Sequence, residues 1–286
     1  MATKKSNGNE LSSYLDFKNR FKLLVSKNEH LLITTLSNIF TMRLIGNKTH
    51  GDLAEIGIVE FINQFMYDFQ SRHVGKDLFR SKEQEEDIII MSELNKKGFP
   101  VSLKAYGDGP LQLSTDRNSK MFPYLESLQR EEITDKKTIA KIFDSDAFKD
   151  MKIINVMPLI YREAKMQCNI LVFDQIRATK ETAKISKLSS GYGRVHPVYI
   201  FSNAKDEYIC EVRYGNAKAN ALQRGLWTHT RNAVSYFDSL TNGWIDYSHN
   251  LTLVKLFSLA LVASENGHNA ANVILQSDID RLKTLK

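Results

Sequence analysis

The sequence predicts an α/β (α+β) chain, a mixed β-sheet core flanked by helices with helical additions at its N- and C-terminal ends. Three observations predict it. Apolar residues recur at helical spacing through the first 69 positions, and short β-branched runs bounded by Gly, Pro, Asn and Asp follow from Ile88 to Tyr214. A nearly continuous apolar stretch then returns at 251–262. The expected layout is one domain over 1–286, with a helical arm at 1–48, a core at 49–215 and a helical C-terminal part at 216–286.

Composition narrows the class. A chain of 286 residues with 42% hydrophobic content can bury a large core, and its 25% charged fraction is that of an ordinary globular protein. Its net charge of +6 favours a polyanionic partner. Cys168 and Cys210 each lie in an apolar run with no CxxC pair, the pattern of reduced core thiols in a cytosolic protein. The first residues lack an apolar leader and no run of 18 apolar residues occurs, so a cytoplasmic protein with no membrane span is expected.

The elements follow in order. Tyr14, Phe17, Phe21, Leu24 and Val25 fall at helical spacing over 11–27, and a second apolar helix runs over 31–44. Asp52 is placed to cap a third helix, whose stripe is Ile58, Phe61, Ile62, Phe65 and Phe69. Glu55 projects from or beside that stripe. A carboxylate there is costly unless paired, hydrogen-bonded or bound to a cation, so it is either a rim glutamate or a ligand. The charged segment 72–86 is expected to be a loop leading into a hairpin. That hairpin comprises a strand from Asp87 to Met91, turn residues from Asn95 to Pro100, and a strand from Val101 to Tyr106. Alternation puts Ser102, Lys104 and Tyr106 on one face and Val101, Leu103 and Ala105 on the other. Asp87 and Lys104 would then meet at one end of a small sheet. A carboxylate for a hard cation and an ammonium to steady a water are the minimum equipment for metal-assisted phosphodiester cleavage.

Asp87 followed by Ser102-Leu103-Lys104 resembles the active-site hairpin of the PD-(D/E)xK nucleases, the fold of most type II restriction endonucleases. The family pattern is an Asp on one strand, then Asp or Glu, any residue and Lys on the next; here Ser102 stands where a second carboxylate is usual. The resemblance spans about residues 51–113. It implies a restriction-endonuclease-like core, with Asp87 and Glu55 as ligands of Mg²⁺, Ser102 acting through a metal-bound water, and Lys104 activating the attacking water. It further implies a homodimer cutting a symmetric site in double-stranded DNA, and a cognate DNA methyltransferase in the same system.

Later segments supply candidate DNA contacts. Gln112 is either such a contact or an ordinary edge-strand glutamine. A helix is expected over 135–143, and strands over 169–174, 197–201 and 207–214. The segment 180–194, with Lys187 and Arg194, has the composition of a basic loop that tracks phosphates or merely meets solvent. Asn216, Asn220, Gln223, Arg224 and His229 belong to a segment dense in side chains that read base edges. A helix from about Ala217 would turn Asn220, Gln223 and Arg224 one way, towards DNA or towards water. Glu211-Val212-Arg213 repeats the acid-x-basic pattern, but arginine cannot lose its proton, so Arg213 is assigned to DNA contact or a sheet-edge pair. Helices are expected at 251–262 and 270–285. No GxxxxGK[ST] loop occurs, which argues against ATP-driven translocation. The alternative is a non-catalytic or non-specific DNA-binding or repair protein.

Overall fold

The computed structural model describes residues 6–45, 50–73, 88–106, 109–116, 118, 120–149, 156–189, 196–214, 224–246, 277 and 280. The first elements in chain order are α1 (Ser6–Lys27), α2 (Glu29–Ile45), α3 (His50–Phe65), β1 (Phe69–His73), β2 (Ile88–Ser92), β3 (Lys97–Tyr106) and β4 (Pro110–Thr115). Next come α4 (Met121–Ser127), β5 (Glu132–Ile133), α5 (Lys136–Asp144), β6 (Val156–Arg162), β7 (Gln167–Phe173) and α6 (Gln175–Glu181). The rest are β8 (Lys184–Leu188), β9 (Val198–Ser202), β10 (Tyr208–Arg213), β11 (Gly225–His229), β12 (Phe237–Ser239) and β13 (Ile245–Asp246). The class is mixed α+β with antiparallel pairings, and the chain divides into two compact units.

The hairpin unit comprises residues 16–106, 159–169 and 241–286. Its helices form where the apolar stripes require it. Phe17, Phe21 and Val25 of α1, Leu32, Leu36 and Ile39 of α2, and Ile58, Val59, Phe61 and Ile62 of α3 are all buried. Close packing of α2 on α3 depends on Gly57, where a Cβ would stand 2.1 Å from Ile39 Cδ1. Helix α3 also packs against β1 and β3. An aromatic cluster joins these elements, with Phe17 5.3 Å from Phe69 and 5.7 Å from Phe99, and Phe21 5.4 Å from Phe61. Each such ring contributes roughly 1.5–3 kcal/mol by leaving water.

The outer edge of β1 is tied to α3 by one side chain. Asn63 accepts from the Ser71 N–H at 2.7 Å and donates to the Ser71 carbonyl at 3.0 Å, so its amide stands in for the peptide of a neighbouring strand. Strands β1, β2 and β3 form an antiparallel meander, paired Ser71↔Ile90 and Ile88↔Val101. Beyond β3 come residues 159–162 of β6 and 167–169 of β7, with Cys168 paired to Ile245 of β13.

Three expectations need correction here. Phe69 does not end the α3 stripe: the helix stops at Phe65, the Phe69 N–H turns back to the Met66 carbonyl at 2.9 Å, and Phe69 opens β1. Arg72 and His73 therefore lie in a strand rather than in a loop. The hairpin turn is tighter than the sequence indicates, because Lys97–Pro100 is already strand and Lys96, at φ 54°, makes the reversal.

The six-stranded unit comprises residues 1–15, 107–158 and 170–240. Its antiparallel sheet has the order β4-β11-β10-β9-β8-β5. One face is its core. Phe122 of α4 packs on Tyr199 at 5.3 Å, while Phe143 of α5 and Phe148 pack on Phe201 at 5.8 and 6.0 Å. Helix α5 starts where Asp135 accepts from the Thr138 N–H at 2.8 Å and so caps it. The segment from 184 is strand β8, not a loop, since Ile185 is buried and pairs with Phe201. Likewise Gly225–His229 is strand β11. Its first residue must be glycine: φ is +133°, and a Cβ would stand 2.1 Å from the Ser114 carbonyl oxygen on β4. Residues 171–173 of β7 pair with β12 in this unit.

Among the described residues, no helix is long and apolar enough to cross a membrane.

Candidate active site and nucleic-acid face

The hairpin that the sequence indicates forms between β2 and β3. Ile88, the first residue of β2, stands opposite Val101 of β3, and both are fully buried. The next residue of β3, Ser102, is half-buried, while Leu103 returns to the core. Ser102 therefore occupies the face away from the aromatic cluster, as alternation requires. Lys104 lies in β3 two residues further on. Asp87 lies outside the described residues.

Glu55 is only 5% exposed, on the helix that packs against β1 and β3. Burying a carboxylate among these apolar neighbours is costly unless a partner offsets it, and Glu55 does engage one. A buried glutamate is a hard oxygen donor of the kind Mg²⁺ takes. Helix α3, however, packs on the meander face that carries Ser71 and Phe99. Ser102 lies on the opposite face, so the described residues do not bring the two side chains together. Among the described residues, no group of three or more His, Cys, Asp or Glu stands together.

The candidate DNA contacts separate into three groups. Arg194, Asn216, Asn220 and Gln223 lie outside the described residues, as does the proposed helix from Ala217. Lys187 is engaged within the protein: its ammonium donates to Glu126 at 3.0 Å, with Glu131 at 3.7 Å. Tyr199 donates to the other Glu126 oxygen at 2.9 Å. The Lys187 ammonium, then the Tyr199 hydroxyl, hold the Glu126 carboxyl below its ordinary range.

In the third group, Gln112 and Arg213 share one face of the six-stranded sheet. Glu211 pairs with Trp227, and Trp227 pairs with Gln112, so three side chains form a row across β10, β11 and β4. Arg213, two residues from Glu211, lies on that same face. Its Nε donates to Glu211 Oε1 in a short contact, and its guanidinium stacks 4.6 Å above the Trp227 ring. Gln112 donates through Nε2 to the Arg224 carbonyl at 3.2 Å. Arg224 itself is buried, at 8% exposure, and engages a partner. His229 ends β11 opposite Pro110 and accepts from the Arg231 N–H at 3.3 Å.

Compared with protein-family models, curated proteins and solved structures, the chain gives no match.

Sequence reasoning missed Trp227 as a partner of Arg213. Its indole Nε1 is buried and meets no acceptor among the described residues, and neither does the Ser114 hydroxyl on β4. Both follow from cross-strand register, which no local pattern announces. Burial pushes the thiols of Cys168 and Cys210 up, Cys168 to about 12, with the Glu211 charge adding to the effect at Cys210.

Proposed function

We propose that the chain is a magnesium-dependent, site-specific endonuclease of double-stranded DNA, with a restriction-endonuclease-like core built on the β2–β3 hairpin. The observation that supports this reading is the hairpin register Ile88↔Val101. The reading requires the next step of that register, Asp87 opposite Ser102. On this reading Asp87 and Glu55 would hold the ion, which would supply Lewis-acid charge to the scissile phosphate. Ser102 would hydrogen-bond a water beside Asp87. Lys104 orients the attacking water and offsets the charge that builds on the phosphate oxygens. The net charge of +6 suits a polyanionic substrate. A homodimer matching a two-fold symmetric site, a cognate methyltransferase and a cytoplasmic location belong to the same reading.

Supercoiled plasmid incubated with the chain in Mg²⁺ or in EDTA tests it, with Lys104→Ala alongside. Discrete bands that need the metal and vanish in the variant are expected. A smear would replace site specificity with unspecific cleavage. Intact plasmid that is still shifted on a gel would leave a binding protein without nuclease activity.

A further inference from the structure

The row on the six-stranded sheet has a donor pattern that the hairpin chemistry does not use. Arg213 is fixed on two sides. Its Nε is bound to Glu211, whose side chain keeps 7% of its exposure, and its plane lies over Trp227. What is left is the Nη1–Nη2 edge, two coplanar donors that meet no acceptor among the described residues, on a side chain that keeps 18% of its exposure. One cross-strand step beyond Trp227, Gln112 spends its amide nitrogen on the Arg224 carbonyl and leaves Oε1 without a partner among the described residues. Between them sits the buried Trp227 Nε1, also without an acceptor there.

The order of these groups favours one ligand. A phosphate would feel the Glu211 carboxylate beside the guanidinium, so the pair offers it little net charge. The edge of a base is neutral, and guanine presents O6 and N7 as two in-plane acceptors that a guanidinium fork matches. Two strand steps place Glu211 and Gln112 on the order of 10 Å apart, close to the width of a major groove. Because stacking and the Glu211 bond already hold the arginine, little conformational entropy remains to be lost on binding.

We propose that Arg213, held by Glu211 and Trp227, reads a guanine through its Nη1–Nη2 edge and so fixes one base of the recognition sequence. The proposal rests on the DNA-directed reading given above. Gln112 Oε1 is then placed to accept from an amino group of a neighbouring base.

The test selects duplexes with a randomised centre on the full chain in EDTA, then measures binding by fluorescence anisotropy. A required guanine is expected. Replacing it by adenine or by 7-deazaguanine, which lacks the N7 acceptor, should weaken wild-type binding about 10- to 100-fold. Arg213→Met, which keeps the aliphatic stem and has no donor, should bind the guanine and 7-deazaguanine duplexes alike. The altered base leaves the protein untouched, so a misfolded variant cannot decide the outcome. Indifference of the wild type to 7-deazaguanine, or an unchanged preference in Arg213→Met, overturns the proposal. So does loss by the same factor on every sequence, which marks a phosphate contact. Guanine-dependent binding without cleavage would sink the nuclease reading alone. Sequence-specific cleavage indifferent to Arg213→Met would sink this proposal alone, and absence of any DNA binding would sink both.

Discussion

Asn63→Ala should destabilise the chain by about 1.5 kcal/mol, and the structure says why the figure is no larger. The substitution removes two hydrogen bonds to the Ser71 backbone, at 2.7 and 3.0 Å, plus a longer one from the Ser71 hydroxyl at 3.2 Å. That hydroxyl keeps its bond to the Val59 carbonyl at 2.9 Å. Were the site sealed, each orphaned backbone group would cost about 1–3 kcal/mol. Asn63 is exposed, however, so water can reach the vacated edge and the net value of about 1 kcal/mol per bond applies. Alanine then returns roughly 0.5 kcal/mol through its better helix propensity. Urea unfolding followed by circular dichroism measures the result. With a slope of about 3 kcal/mol per molar, the midpoint should fall by roughly 0.5 M. Gln64→Ala, exposed in the same turn, supplies the control. If the two variants unfold within about 0.2 M of each other, the amide does not act as a strand substitute and the reasoning fails.

Three further outcomes are expected. Gly225→Ala should cost about 2 kcal/mol more than Gly243→Ala in thermal unfolding, because both carry positive φ but only at Gly225 does a Cβ strike backbone; equal losses would contradict the crowding. The Glu126 carboxyl is held down by Lys187 and then Tyr199, so its contribution to stability is full above the ordinary value of 4.5 and is lost as pH falls through the lowered one. Glu126→Gln should therefore lose less stability than the wild type on acidification below that value, and parallel curves would refute it. Finally, Cys168 and Cys210 are buried with raised thiol values, so a chromogenic disulfide reagent at mildly alkaline pH should find no reactive thiol in the native chain and two after denaturation.

Much of the helical scaffold was legible because Tyr14, Phe17, Phe21 and Val25, and likewise Ile58, Phe61 and Ile62, repeat with a period that only a helix satisfies. Strands β7, β9 and β10 were legible from their apolar runs. The misses have identifiable causes. Phe69 continues the α3 spacing by coincidence, which hid β1. Pro100 and Gly98 look like turn residues, yet they pair with Ile89 and Met91 inside the sheet. Strand β8 carries two lysines and two apolar residues in five positions, so its composition is that of a basic loop until Ile185 is seen against Phe201. For the site, the acid-and-lysine pattern around β2 and β3 can be found by eye, and so can the burial cost of Glu55. The Arg213–Trp227 stack cannot, since it depends on which residue of β11 falls opposite Glu211.

The division of the chain has a consequence for how the protein must be made. Each unit gathers three separate stretches of sequence, and β4 waits for a partner strand that is translated more than a hundred residues later. Such distant closures slow folding. During synthesis, the hairpin unit still lacks its last stretch when residue 240 leaves the ribosome, so early products stay incomplete and open to proteases and to chaperones. Splitting the gene at 158 would therefore give two fragments that fold only if co-expressed, since β4 and β5 would be parted from β8–β11.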